Sequence, residues 1–212
     1  LLKMGADVQI DHGFVDLKSG RLQGTKIVTD MVTVTGTENI MMAAVLAEGR
    51  TVIENAAREP EVVDLANCLR AMGAKIEGDG TSTIVIDGCD SLHGAEHSVI
   101  PDRIELATYM AAAAVTGGRL VLRGICPVHA AAVLPVFEEA GCRVRTLDGS
   151  LLLSAPPRLI RVRQVRTMPY PGFPTDAGAP LMGTLCTAEG TSIFVETIFE
   201  NRYRYVDELR RM

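Results

Sequence analysis

A proline-rich segment delivers two polar residues, Thr175 and Asp176, to the predicted start of a helix. Three prolines within the six residues before Thr175 leave this connection few conformations. A carboxylate on such a rigid mount can be held accurately against a substrate hydroxyl and can take its proton. Asp176 is therefore a candidate general base. Spacing alone favours a simpler alternative, in which Thr175 or Asp176 is only the N-cap of the helix that carries Leu181 and Met182.

The elements that must position these residues repeat along the chain. The segment Met4–Val8 returns as Met72–Ile76 and again, with more changes, as Ala140–Val144. Their glycines lie in two equal steps of 68 residues, at Gly5, Gly73 and Gly141. A period of this length corresponds to a whole supersecondary unit. Each copy is predicted to run helix, glycine, strand, strand, helix, glycine, strand, with these three glycines in equivalent places between a helix and a strand.

Local signals predict several element boundaries. Pro60, preceded by one glutamate and followed by another, marks a helix start. Asp102 and Glu105 have the spacing of a capping box and should open a second helix. Pro135 lies inside another helical pattern, which should therefore be kinked or begin late. The β-branched run Thr83–Ile86 predicts a strand. Because strands and helices alternate, the predicted class is α/β or layered α+β.

Composition narrows the function classes. The chain is 47% hydrophobic and 22% charged, which is typical of a globular protein with a real core. A net charge of −5 argues against nucleic acid as the main partner, and no apolar run is long enough for a membrane span. No glycine-rich phosphate-binding motif is present, so nothing indicates a nucleotide cofactor.

Two further groups of residues receive structural interpretations. A basic strip alternates with apolar residues and predicts the solvent-exposed face of a strand; its members are Arg158, Ile160, Arg161, Val162, Arg163, Val165 and Arg166. Five cysteines without a CxxC pair indicate buried thiols in a reducing compartment and no zinc site; they are Cys68, Cys89, Cys126, Cys142 and Cys186.

Four motifs together resemble the UDP-N-acetylglucosamine enolpyruvyl transferases, the 1-carboxyvinyltransferases of the first committed step of peptidoglycan synthesis. They are Glu54–Glu61, Pro101–Glu105, Gly172–Asp176 and Phe199–Arg202, and the resemblance extends in order along essentially all of the chain. It implies two similar domains, each with three βαβαββ units around a pseudo-threefold axis, helices inside and sheets outside. Residues 1–100 would belong to the uridine-contacting domain and residues 101–212 to the domain with the catalytic aspartate.

The resemblance also implies the reaction and its residues. The 3-hydroxyl of the N-acetylglucosamine moiety adds to C2 of phosphoenolpyruvate, and phosphate leaves. Asp176 would take the hydroxyl proton, with Thr175 beside it among the substrate-binding residues. Thr33, Val34 and Thr35 would contact the uridine and phosphates. Ile198 would contact the sugar, with Phe199 and Arg202 next to it, although the residues alone favour an ordinary strand end at Ile198. The implied partners are these two small-molecule substrates in the cytoplasm, with no cofactor, nucleic acid or membrane.

Some of the family's functional residues have no counterpart here. A mobile loop with a reactive cysteine or aspartate, a Lys-Asn pair and an arginine would precede Leu1, and another arginine would follow Met212. We therefore expect the chain to be an internal piece of a larger repeat protein, with partners in its missing N- and C-terminal parts and no activity alone. The sequence departs from the family pattern at Met31–Val32, Thr35–Gly36 and Ala177–Gly178.

Two alternatives remain open from the sequence. One is the shikimate-pathway enolpyruvyl transferase, EPSP synthase, which shares the fold; the motifs Asn55–Glu61 and Gly172–Asp176 argue against it. The other is a non-catalytic binding or scaffold protein that is built from the same repeats.

Overall fold

The chain forms two separate hydrophobic cores. The computed structural model describes all residues, Leu1–Met212, and divides into two units, Leu1–Val99 and Ile100–Met212. One core gathers apolar side chains between positions 4 and 86, and the other between positions 106 and 185. No helix in either unit combines the length and the apolar character that spanning a bilayer requires.

The first unit contains a hairpin followed by a complete βαβαββ arrangement. Its elements are β1 (Asp7–Asp11), β2 (Phe14–Lys18), β3 (Lys26–Val28), α1 (Val34–Ala44), β4 (Arg50–Glu54), α2 (Pro60–Ala71), β5 (Lys75–Glu77) and β6 (Thr83–Asp87). Strands β1 and β2 pair with each other as an antiparallel hairpin. The four remaining strands form a sheet in the order β3-β4-β6-β5, in which only β3 and β4 are parallel. The unit predicted from the family resemblance is thus present once in full.

Alternation along the central strands builds the first core. Ile53 lies opposite Ile84 in the register of β4 and β6, and Ile86 lies opposite Ile76 of β5. All four side chains are buried, because residues two apart on a strand point to the same face. Helix α2 covers this face with side chains at helical spacing, among them Val62.

The second unit repeats the same kinds of elements, but the strands of its parallel pair, β10 and β11, are shorter than β3 and β4. Its elements are α3 (Arg103–Val115), β7 (Arg119–Arg123), α4 (Leu134–Glu139), β8 (Arg143–Leu147), β9 (Ser150–Ser154), β10 (Val165–Arg166), α5 (Gly178–Leu185), β11 (Phe194–Val195) and α6 (Arg204–Arg211). The sheet order β7-β9-β8 matches β4-β6-β5 of the first unit. Strands β10 and β11 are parallel and are joined through α5, as β3 and β4 are joined through α1. Helix α3 packs against α5, β7 and β9.

The three repeat glycines occupy equivalent positions, as predicted. Gly5, Gly73 and Gly141 have φ values of 90°, 103° and 95° and each lies between a helical turn and a strand. Each glycine N–H donates to the carbonyl three residues earlier, and the next N–H donates to the carbonyl five residues earlier, over 2.9–3.3 Å. This is the Schellman helix ending, which requires a left-handed residue and therefore favours glycine.

The predicted helix starts are confirmed. Pro60 is the first residue of α2. The Asp102 carboxylate caps α3 by accepting from the N–H groups of Ile104 and Glu105. Helix α4 begins late, with Pro135 in its first turn, where its missing N–H leaves no helical bond unmade.

The interpretation of the basic strip is only partly right. The four arginines are exposed, but regular strand covers Val165 and Arg166 alone. Ile160 is 51% exposed, whereas Leu159 and Val162 are buried. Buried residues therefore recur every third position up to Val165, because this segment pairs irregularly with residues 189–195 instead of forming a flat ladder.

Gly141→Ala should test the repeated helix ending. At a φ of +95°, a Cβ is strained and would also lie 3.3 Å from Cγ of Pro156. We expect the free energy of unfolding, measured with urea, to fall by about 1–3 kcal/mol. Gly183→Ala within α5 is the matched control, since a Cβ there meets nothing within 4 Å. That control should be neutral or stabilising by up to about 1 kcal/mol, and equal losses in both variants would contradict the assignment.

Candidate active site

A closed loop mounts the candidate catalytic residues. The Met168 N–H donates to the Phe173 carbonyl, and the Gly172 N–H donates to the Pro169 carbonyl. Gly172 is required here because a Cβ would lie 2.4 Å from the Cβ of Met168. Phe173 is buried in the second core and anchors the end of the loop. The loop therefore fixes the position of the backbone just before Thr175 and Asp176.

Neither Thr175 nor Asp176 is the N-cap of the following helix, so the capping alternative is wrong. Both lie in a 3₁₀ turn, Thr175–Ala177, and α5 begins after it without a side-chain cap. Pro180 occupies the third helical position and has no N–H for a cap to bind. The two polar side chains point to other partners instead.

Arg202 brings Asp176 and Phe199 together. One guanidinium nitrogen of Arg202 forms an ion pair with Oδ1 of Asp176. The guanidinium carbon also lies 5.3 Å from the ring centroid of Phe199, which is a cation–π distance. The Asp176 side chain is 58% exposed and the Arg202 side chain 40%. Because solvent screens such a pair, it contributes at most about 1 kcal/mol to stability, and its role is orientation.

The carboxylate of Glu196 connects the Thr175 turn to the segment after β11. Oε2 accepts a hydrogen bond from the Thr175 hydroxyl at 2.8 Å. Oε1 accepts from the Thr167 hydroxyl at 2.8 Å, and from the N–H groups of Ile198 and Phe199 at 2.8 and 3.1 Å. Burial alone would raise the pKa of Glu196, but these four hydrogen bonds outweigh it and hold the pKa below its ordinary value.

The network lies at the carboxyl ends of the parallel pair β10 and β11. Thr167 follows β10, and its hydroxyl also accepts from the Thr197 N–H at 2.9 Å. Glu196 follows β11, and its own N–H donates to the Tyr203 hydroxyl at 2.8 Å. The ends of neighbouring parallel strands meet at one sheet edge, where α/β proteins commonly place their ligand sites.

The second unit thus brings together five of the residues singled out in the sequence: Thr175, Asp176, Ile198, Phe199 and Arg202. Sequence reasoning missed Glu196, whose carboxylate accepts four of the hydrogen bonds in this network. The available signal was weak, an acidic residue directly after the short apolar run Ile193–Val195.

Thr33, Val34 and Thr35 form the start of α1 in the first unit. Thr33 is the N-cap, and its hydroxyl oxygen accepts from the Gly36 N–H at 3.2 Å. The Thr37 hydroxyl donates to the Thr33 carbonyl at 2.7 Å and accepts from the Ala57 N–H at 3.0 Å. The start of α1 is therefore fixed to the segment before α2, and Thr35 is exposed on it.

The cysteines differ more than the sequence suggested. Only Cys142 is buried, and burial raises the pKa of its thiol to about 11, so this residue is a packing residue. Cys186 is exposed, and the other three are partly buried. The expectation of uniformly buried thiols is wrong because Cys186 lies at the exposed end of α5.

The Glu196 network predicts a pH-dependent contribution to stability. A pKa lowered in the folded state stabilises the protein above the ordinary value of 4.5, and this contribution is lost as pH falls through the folded-state pKa. Glu196→Gln removes this titration. Between about pH 5 and pH 3 the wild type should therefore lose stability more steeply than the variant, as measured by urea unfolding at each pH. Parallel pH dependences would show that the network does not favour the ionised carboxylate.

The chain is similar to known enolpyruvyl transferases. A UDP-N-acetylglucosamine 1-carboxyvinyltransferase from Magnetococcus marinus is 52% identical over 209 residues, which are 99% of this chain and 50% of that protein. The chain therefore spans about half the length of this curated relative. The enolpyruvyl transferase NikO from Streptomyces tendae has a similar structure, with a TM-score of 0.85 and 25% identity, covering 98% of this chain and 52% of that one.

An EPSP synthase structure from Acinetobacter baumannii shares the fold, with a TM-score of 0.66 and 24% identity over 97% of this chain and 50% of that one. The profile of EPSP synthase (3-phosphoshikimate 1-carboxyvinyltransferase) matches residues 1–212, the whole sequence. The chain belongs to the EPSP synthase family of enolpyruvyl transferases.

Proposed function

We propose that the protein transfers the enolpyruvyl group of phosphoenolpyruvate to the 3-hydroxyl of UDP-N-acetylglucosamine, in the cytoplasm, as the first committed step of peptidoglycan synthesis. The observation that carries this proposal is the rigidly mounted Asp176 carboxylate beside Arg202. The 52% identity to the Magnetococcus marinus enzyme supports the choice of substrates. Activity is a property of the complete protein, in which this chain supplies one set of residues.

Asp176 has the position and chemistry of a general base. In the addition step, the sugar oxygen forms a bond to C2 of phosphoenolpyruvate while its proton is transferred to a base and C3 receives a proton. In the second step, C3 loses a proton and inorganic phosphate leaves, which restores the double bond. Asp176 serves the first transfer. Arg202 holds Oδ1, so the carboxylate is oriented while its exposed remainder can meet the hydroxyl.

The other predicted residues fit substrate binding by their chemistry. The start of α1, with Thr33, Val34 and Thr35, offers a helix N-terminus, which favours the negative charge of a diphosphate. Ile198 and Phe199 are fixed through their N–H groups and present an aliphatic and an aromatic side chain, which suit the apolar face of a sugar ring. No cofactor is needed for this reaction.

The alternative substrate is 3-phosphoshikimate, favoured by the name of the matching family profile. Phosphate release from phosphoenolpyruvate by the protein expressed from its complete gene discriminates the two. Phosphate release that depends on UDP-N-acetylglucosamine supports the proposal, and phosphate release that depends on 3-phosphoshikimate supports the alternative. A protein that binds either compound without releasing phosphate would be the binding or scaffold protein.

Asp176→Asn should separate a base from a structural residue. Asparagine keeps the size of the side chain and can still accept a hydrogen bond from Arg202, but it cannot take a proton. We expect kcat to fall by about 100-fold or more, the scale of general-base catalysis. The thermal midpoint should hardly change, because an exposed ion pair contributes at most about 1 kcal/mol.

Asp207→Asn is the matched control, since Asp207 is exposed on α6 and lies outside the site. It should retain wild-type kcat. An Asp176→Asn protein that is well folded and turns over at the wild-type rate would overturn the assignment of the base.

A further inference from the structure

The hydroxyl of Thr175 has a fixed hydrogen-bond direction. An ionised carboxylate only accepts hydrogen bonds. The Glu196 oxygen at 2.8 Å from Oγ1 of Thr175 therefore receives the Thr175 hydroxyl proton. Thr175 has a single hydroxyl proton, so toward any ligand its oxygen can only accept.

The next residue offers acceptors as well. Oδ1 of Asp176 accepts from Arg202, and the carboxylate has no proton to donate while that ion pair is formed. Thr175 and Asp176 are consecutive in one turn, Thr175–Ala177. This turn therefore presents two neighbouring acceptor groups and no side-chain donor.

A ligand that matches this turn must carry two neighbouring donors. The 3-hydroxyl of an N-acetylglucosamine moiety is such a donor, and it is flanked by two more, the amide N–H on C2 and the hydroxyl on C4. With the 3-hydroxyl on Asp176, one of the flanking groups can donate to Thr175. The match places the reacting hydroxyl beside the base through a second contact on the same ring.

The N–H groups of Ile198 and Phe199 are already used. Both donate to Oε1 of Glu196, at 2.8 and 3.1 Å. Glu196 thus fixes the backbone on one side of the site while it orients Thr175 on the other. Its connection to Thr167 at 2.8 Å fixes the carboxylate itself to the end of β10.

We propose that Glu196 is a positioning residue that makes Thr175 an obligatory acceptor, and that Thr175 thereby selects a sugar with a donor next to the reacting hydroxyl. This inference rests on the proposed function and adds the group that sets substrate specificity within it. Glu196 does not contact the reacting atoms; it acts through Thr175.

A double-mutant cycle in the protein expressed from its complete gene tests this role. Glu196→Gln places an amide donor opposite Thr175 and reverses that hydrogen bond. Thr175→Val removes the hydroxyl with little change in volume. Each variant should lower kcat/KM for UDP-N-acetylglucosamine by about 10-fold, the scale of one hydrogen bond between the neutral Thr175 hydroxyl and a neutral donor of the sugar. The double variant should lose no more than about 2-fold beyond either single variant, because both changes remove the same contact.

Conservative and matched variants control the cycle. Thr175→Ser keeps the hydroxyl and should restore kcat/KM to within about 3-fold of wild type. Thr187→Val and Glu208→Gln change the same residue types at exposed positions outside the site and should keep wild-type kinetics. Losses that multiply in the double variant, or a loss that only follows the unfolded fraction, would assign Glu196 a structural role and overturn the inference.

Substrate analogues test, without any Glu196 variant, whether Thr175 accepts a hydrogen bond from a donor next to the reacting hydroxyl. UDP-N-acetylglucosamine that is N-methylated on its acetamide, or deoxygenated at C4, lacks one flanking donor. With the wild-type protein, one of the two analogues should have a kcat/KM about 10-fold lower than that of the parent substrate. With Thr175→Val, the same analogue and the parent substrate should have equal kcat/KM. If Thr175→Val discriminates between the parent substrate and the analogue as strongly as the wild type does, Thr175 does not accept a hydrogen bond from that donor. A wild-type protein without activity on UDP-N-acetylglucosamine would instead reject the proposed function, and this inference with it.

Discussion

The Glu196 carboxylate is the interaction on which the arrangement of the site depends. The parallel pair β10 and β11 is only two residues long on each strand, so its ladder alone cannot fix the segments that leave its ends. The carboxylate supplies what the ladder lacks, because its two oxygens bind the Thr175 turn, the end of β10 and the backbone at Ile198 and Phe199. Charged acceptors make stronger hydrogen bonds than neutral ones. Three irregular segments are therefore held together without regular secondary structure.

A second constraint explains why the repeat is visible in the sequence at all. Each copy must turn from a helix into a strand through only two or three connecting residues, and the Schellman ending achieves this with one left-handed residue. Gly5, Gly73 and Gly141 remain identical while their neighbours change, because a Cβ at these φ values would be strained. The strands and helices around them need only keep their apolar faces, so their sequences can diverge.

The predictable and unpredictable features separate by the range of the interaction that controls them. Pro60, Asp102 and the repeat glycines act within five residues, and their roles could be predicted from the sequence. The capping alternative at Thr175 and Asp176 was wrong because the true partners, Glu196 and Arg202, lie 21 and 26 residues away. Local spacing contains no information on such partners. The same reason hid Glu196, whose importance comes entirely from contacts formed in the fold.

Two requirements, accessibility to solvent and a fixed position, are difficult for one side chain to meet. In the Thr175 turn they are met by two adjacent residues, Thr175 and Asp176. The general base that we propose at Asp176 must be accessible to its substrate, yet it must also be held in place. Thr175 meets the second requirement by bonding to Glu196, and buried Phe173 and Ala177 fix the backbone on either side. Asp176 can then remain 58% exposed without losing its position. Arg202 restricts the remaining rotation of the Asp176 carboxylate from outside the core. The carboxylate is therefore accessible to solvent and still has a defined orientation. A single buried aspartate would be equally well placed, but the same burial would close it to a hydroxyl that arrives from solvent.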